Sequence, residues 1–194
     1  MSLDLQVYTK QLSDNLIPQI IKRLNEYDMV VEIHPDFSFS NQTGFLPFKF
    51  QLTNPNFEIL KGKELISGFE LYIEDFDLNA QKEILKPKQS FLDRLLGKKQ
   101  TDVSFASPQI ESRLKDCKKV VTFVWHAGDS FELRFASLTS AILTEITNGV
   151  CCYPADDIWY DTENIVDNAY KEFKQYEESI REQDLNFHEF DGWN

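Results

Sequence analysis

The chain has 194 residues and a mass of 22.7 kDa, with 42% apolar residues, sixteen phenylalanines and a formal net charge of -12. That length and aromatic content exclude a disordered chain, and a folded chain of this size buries roughly 70% of the surface its unfolded form exposes. The charge is uneven: residues 1–81 carry -6, residues 82–119 carry +5, residues 120–154 carry -2 and residues 155–194 carry -9. An acidic face repels phosphate, so direct nucleic-acid binding across it is disfavoured, while a basic protein is steered towards it.

From Tyr8 to Tyr27, Tyr8, Leu12, Leu16, Ile20 and Leu24 form an apolar stripe of helical period, with Ile17 and Ile21 alongside. Pro18 lies inside it, so either the helix begins near Ile17 with Pro18 in its first turn, or a longer helix is kinked there. "MVVEIHPDFSF" then alternates apolar Val31, Ile33, Phe37 and Phe39 with polar neighbours, and "FLPFKFQL" repeats the pattern after the turn-like "SNQTG". The two are expected to form a hairpin, with a third strand at "GFELYIEDF".

Residues 82–119 are expected to be a basic, partly mobile connecting segment, broken by Pro87, Gly97 and Pro108. Two short helices are expected within it, "SFLDRLLG" starting at Ser90 and "SPQIESRLKD" starting at Ser107, with "GKKQTD" between them as a loop. "KKVVTFVW" and "SFELRF" predict two strands joined through "HAGD". A central helix follows in "ASLTSAILTEITNG", stopped by Asn148 and Gly149. A short strand through Cys151 and Cys152 comes next. Asp161 or Thr162 is then expected to cap a long helix whose buried stripe is Ile165, Ala169, Phe173, Tyr176 and Ile180. The aromatics of "DLNFHEFDGWN" suggest a tail that folds back on the body. Without a solenoid repeat or a Gly/Ser linker, residues 1–194 read as one α+β domain. Its sheet is expected to be mainly antiparallel, of five to six strands, packed by an N-terminal, a central and a long C-terminal helix.

The chemistry-bearing residues do not form a diagnostic catalytic motif. Cys151 and Cys152 are adjacent, so on a strand they face opposite ways, and three cysteines without CxxC spacing suit neither a disulfide framework nor zinc. The three histidines are dispersed, and seven scattered glycines build no phosphate-cradling loop. No catalytic residue, metal or cofactor is therefore assigned. "PADDIWYD" and its continuation stand out instead. Asp156, Asp157, Trp159, Tyr160, Asp161 and Glu163 combine aromatics with carboxylates, the composition of an anchor for a basic protein partner. The competing explanation is an ordinary acidic start to the helix, with Trp159 tucked into the core.

With its N-terminal helix, antiparallel strands, the unit "ASLTSAILTEITNGVCCYPADDIWYD" and an acidic last helix, the chain resembles small bacterial immunity proteins and related domains of unknown function. The resemblance implies a non-enzymatic, acidic protein that occludes a basic partner, often a nuclease toxin. Two other functions fit the composition: a small hydrolase or transferase using carboxylates in a cleft beside residues 82–119, and a structural accessory protein of a phage or secretion apparatus. The opening "MSLDLQVYTK" has no basic segment followed by an apolar one, and the longest apolar run, "VVTFVW", falls far short of the roughly twenty residues a bilayer needs. A cytoplasmic location away from membranes is expected, consistent with free cysteines.

Overall fold

The computed structural model describes residues 3–41, 43–87, 103–126 and 128–193. Among the described residues eight strands make one antiparallel sheet, more than the five to six expected: β1 (Leu3–Thr9), β2 (Met29–Ile33), β3 (Gly44–Leu52), β4 (Leu65–Asp75), β5 (Lys119–Trp125), β6 (Val150–Tyr153), β7 (Ile158–Trp159) and β8 (His188–Glu189). Their order is β2-β3-β4-β5-β1-β6-β7, with β8 added to β4. Among the described residues five α-helices accompany it: α1 (Ile17–Leu24), α2 (Leu78–Leu85), α3 (Pro108–Leu114), α4 (Glu132–Thr147) and α5 (Ile165–Ser179).

The first correction concerns the N-terminus. The helix begins at Ile17 with Pro18 in its first turn, and Tyr8 belongs to a strand. In β1, Leu3, Leu5 and Val7 point into the main core while Tyr8 points to the opposite side, the two-residue period of a strand. β1 lies between β5 and β6 with Val7 opposite both Val121 and Cys151, so the first strand of the chain completes the middle of the sheet. Its hydrogen-bond partners lie more than a hundred residues away, which is why a local reading extended the helix across it.

The second correction concerns "HAGD". Lys119–Trp125 is a strand, but "SFELRF" turns into α4 instead of returning beside it. Phe131, Leu133 and Phe135 fit a period of two, yet Phe131, Phe135, Leu138 and Ile142 also fit a helix, and the buried partners decide in favour of the helix. The turn is held by carboxylates. Asp129 Oδ1 accepts the Phe131 N–H at 2.7 Å, and Glu132 accepts the His126 and Gly128 N–H groups. Every residue from Arg134 to Thr144 is buried, so α4 is the central helix of the core, lying on the sheet with α1 and α5 packed against it.

α4 stops as expected. Asn148 takes a left-handed conformation at φ 49, and a Cβ on Gly149 would come within 2.7 Å of the Tyr8 carbonyl oxygen. α5 starts differently from expectation: Asn164, also left-handed, precedes it, and Asp161 accepts the Glu163 N–H ahead of the helix. Its buried stripe holds Ile165, Ala169 and Phe173, but Glu177 takes the inward place that was assigned to Tyr176, and Ile180 lies just past the last turn. β2 ends at Ile33 ahead of Pro35, and Phe37 and Phe39 fill the core from the loop after it.

The sheet is covered unequally. One face carries α1, α4 and α5 over a phenylalanine-rich core in which Phe48 stacks on Phe135 at 4.8 Å. The other face is covered towards β6 by a smaller cluster, where Tyr8, Phe76, Leu114, Val150 and Cys152 meet α2 and α3. Ser107 caps α3 as expected, and the tail folds back through β8. The helix expected over "SFLDRLLG" and the "GKKQTD" loop fall outside the described residues. Among the described residues, no helix is long and apolar enough to cross a membrane.

Candidate functional site

β6 carries the two adjacent thiols into opposite cores. Cys151 joins the main core and Cys152 the smaller one, and burial pushes both thiols up to about 12. Burial also raises the Cys117 thiol. A thiol held protonated is a poor nucleophile and a poor metal ligand. All three cysteines are free.

From β6 the chain turns through Pro154–Asp156, with Asp157 left-handed at φ 53, and returns as β7, the last strand at this edge of the sheet. The Trp159 indole N–H donates to Asp157 Oδ1 at 2.9 Å, and its ring packs against Tyr8 and Phe105 at about 6 Å. Tyr160 donates its backbone N–H to the Cys151 carbonyl and packs, half-buried, against the main core. The two aromatics thus fasten β7 to opposite sides of the sheet. Trp159 is half-buried on the face away from α5, and Ile158 is the exposed apolar side chain at this edge.

The carboxylates face outward. Asp156, Asp157, Asp161 and Glu163 are exposed, and Asp167 and Glu172 continue the series along α5. Among the described residues, none of the six pairs with a lysine or arginine, whereas many acids elsewhere do, including Glu64 with Lys49 and Glu111 with Lys82. Residues 155–172 hold these six acids against the single base Lys171. The structure thus brings the six sequence-predicted residues together at one edge, splitting the aromatics into anchors and the carboxylates into an exposed rim.

Beside this rim lies a cleft between α4 and α5. Its cavity of about 90 Å³ is floored by Leu5 and Cys151, with Tyr160, Asp161, Asn168 and Glu172 around its mouth. Burial and the nearby Glu172 carboxylate push the Tyr160 phenol up to about 12, so it remains a hydrogen-bond donor. Further along the same two helices, at the start of α4 and the end of α5, lies a buried charged clamp that sequence reading missed. Arg134, 2% exposed, donates from Nε and Nη2 to both Glu177 carboxylate oxygens at 2.8 and 2.7 Å, from Nη1 to the Tyr27 carbonyl, and lies over the Phe173 ring at 4.5 Å. Nearby, Tyr170 and Lys174 converge on Asp28, and their hydrogen bonds hold its carboxyl below the ordinary range. The one available signal was the arginine at i+3 from Phe131 and i−1 from Phe135, the single charged residue in the stretch Arg134–Thr144 that the helix buries.

Within the basic segment Lys82 pairs with Glu111 and Lys86 with Glu83, while Lys119 reaches Asp75 at the end of β4 and Asp116 takes Lys10. Among the described residues, the carboxyl pushed upward is that of Asp129, buried against Ser67 and away from the cleft. No group of three or more His, Cys, Asp or Glu among the described residues is placed to hold a metal ion.

Fold and site together define an α+β protein with a three-helix layer on one sheet face and, at the β7 edge, an acidic rim without a lysine or arginine partner among the described residues. The chain matches no family model, and no curated protein or solved structure matches it.

Proposed function

We propose that this chain is a non-enzymatic binding protein whose acidic rim, from Asp156 through Glu172, engages a more basic protein. The observation that carries the reading is the concentration of unpaired charge: six exposed carboxylates at this edge have no cation partner among the described residues, whereas many acids elsewhere do. Such a rim raises the encounter rate with a basic partner and orients it, while exposed Ile158 adds an apolar contact. An immunity-type inhibitor that covers the active site of a basic toxin is the finer form of this proposal, supported by the charge and by the helix-strand unit that ends in the rim. Three free thiols support a reducing, cytoplasmic setting.

The test compares the native chain with the variant carrying Asp156→Asn, Asp157→Asn, Asp161→Asn and Glu163→Gln as bait in source-cell extract. A basic protein retained by the native chain at low salt, released as salt rises and lost from the variant is the expected result. Equal retention by both baits would overturn the proposal. Salt acts because screening shortens the reach of surface charge from about 10 Å at 0.1 M to about 3 Å at 1 M.

A further inference from the structure

The cleft between α4 and α5 differs in construction from the rim outside it. Its buried lining is mainly aliphatic, Leu5, Ala141, Ile165 and Ala169 with the neutral Cys151 thiol, and its two hydroxyls, Ser137 and Ser140, donate to backbone carbonyls of α4. Its mouth carries the Asp161 and Glu172 carboxylates, and no basic side chain lines it. At about 90 Å³ the cavity exceeds the roughly 10–15 Å³ that a single water occupies.

These two layers select a ligand. An anion meets two carboxylates and is repelled, and a neutral apolar group fills the floor but leaves the charged mouth unanswered. A divalent cation wants several converging oxygens, whereas the buried lining offers two serine hydroxyls among aliphatic side chains, and no group of three or more His, Cys, Asp or Glu among the described residues is placed to hold a metal ion. A cation on an aliphatic stem satisfies both layers, because lysine and arginine lay their methylenes on apolar surface while keeping the charged head among acceptors.

We infer that this cleft receives one lysine or arginine side chain of the basic partner, its methylenes against Leu5, Ala141 and Ala169 and its cationic head between Asp161 and Glu172. This inference rests on the binding function proposed above and names the feature of the partner that the rim brings into place. The Tyr160 hydroxyl and the Asn168 amide also line the cleft and add polar groups beside the head group.

The experiment needs no partner. The chain is titrated with n-butylammonium, n-butylguanidinium and neutral n-butanol, and amide NMR shifts of Tyr160, Asp161, Asn168 and Ala169 are followed. At least one cation is expected to give saturable shifts that butanol does not give. Glu172→Gln or Asp161→Asn is expected to weaken that binding about tenfold, the effect of losing one charge-assisted hydrogen bond, while Glu74→Gln, an exposed carboxylate of β4 outside the rim and the cleft, leaves it unchanged. Unsaturable shifts with both cations, equal binding of butanol, or a Glu172→Gln chain that titrates like the native one would each overturn the inference. Because extract capture and amine titration are read separately, failure of one does not masquerade as failure of the other.

Discussion

Acids at the two ends of α5 are treated in opposite ways. At its C-terminal end Glu177 is buried and grips the Arg134 guanidinium through both carboxylate oxygens. At its start Asp161, Glu163 and Asp167, followed by Glu172, are exposed and without a lysine or arginine partner among the described residues. One end commits its charge to holding α5 on α4, and the other leaves its charge facing solvent. A shared composition therefore conceals two uses, and the difference is in desolvation: a carboxylate taken out of water must be paired, while one left in water is free to meet something else.

The sharpest way to break that contrast is at the buried end. Glu177→Ala leaves a guanidinium in the core with the Tyr27 carbonyl and the Phe173 ring as its remaining partners, and is expected to lower unfolding free energy by about 3–5 kcal/mol in urea denaturation. The double change Arg134→Met with Glu177→Leu removes both charges at similar volume and is expected to recover most of that loss. If the single and double variants were equally unstable, packing and not charge would be the reason for the pair.

Asp129 sharpens the comparison from a third position, as a buried acid without a cation. Its Oδ1 accepts from Ser67 and from the Phe131 N–H, its Oδ2 has no hydrogen-bond partner, and burial raises its carboxyl above the ordinary value of 3.8. With the folded value above the unfolded one, the native state binds more protons between the two values, so stability falls as pH rises through that interval. Asp129→Asn keeps an acceptor for both donors and is expected to flatten this fall in urea denaturation measured from pH 3.5 upward. Unchanged pH dependence would mean that Asp129 is not a source of it. A smaller effect is expected from Cys151 and Cys152: in the native chain they should react with a thiol reagent far more slowly than free cysteine, and at its rate once urea unfolds the chain, as their burial requires.

The elements legible in sequence were those whose period was decided locally. The β2–β3 hairpin, β4, β5, the Asn148–Gly149 stop and the opposite facing of Cys151 and Cys152 followed from alternation and turn chemistry. β1 was not legible because seven residues beside a helical stripe carry little local signal, and their pairing with β5 and β6 is long-range. "SFELRF" satisfied two periods at once, and tertiary burial chose between them. In the site, clustering of carboxylates and aromatics was legible, but Trp159 and Tyr160 turned to opposite faces because β7 pairs with Cys152, a fact of register that composition does not contain. Glu177 was missed for the same reason as β1: its partner, Arg134, is 43 residues away.

The smallest expected effect on folding belongs to the exposed end, and there a null result is informative. Asp156→Asn, Asp157→Asn, Asp161→Asn and Glu163→Gln remove four charges from a chain already at -12. Two local contacts survive in the amide form, since Asn retains the oxygen that accepts from the Trp159 indole and from the Glu163 N–H. Loss of like-charge repulsion acts in the stabilising direction, so the thermal midpoint is expected to stay within about 2 °C of native or to rise. A fall as large as that of Glu177→Ala would place the rim among the structural charges and erase the difference between the two ends of α5. A steady midpoint together with lost retention of a basic protein would show that these carboxylates serve recognition and not the fold.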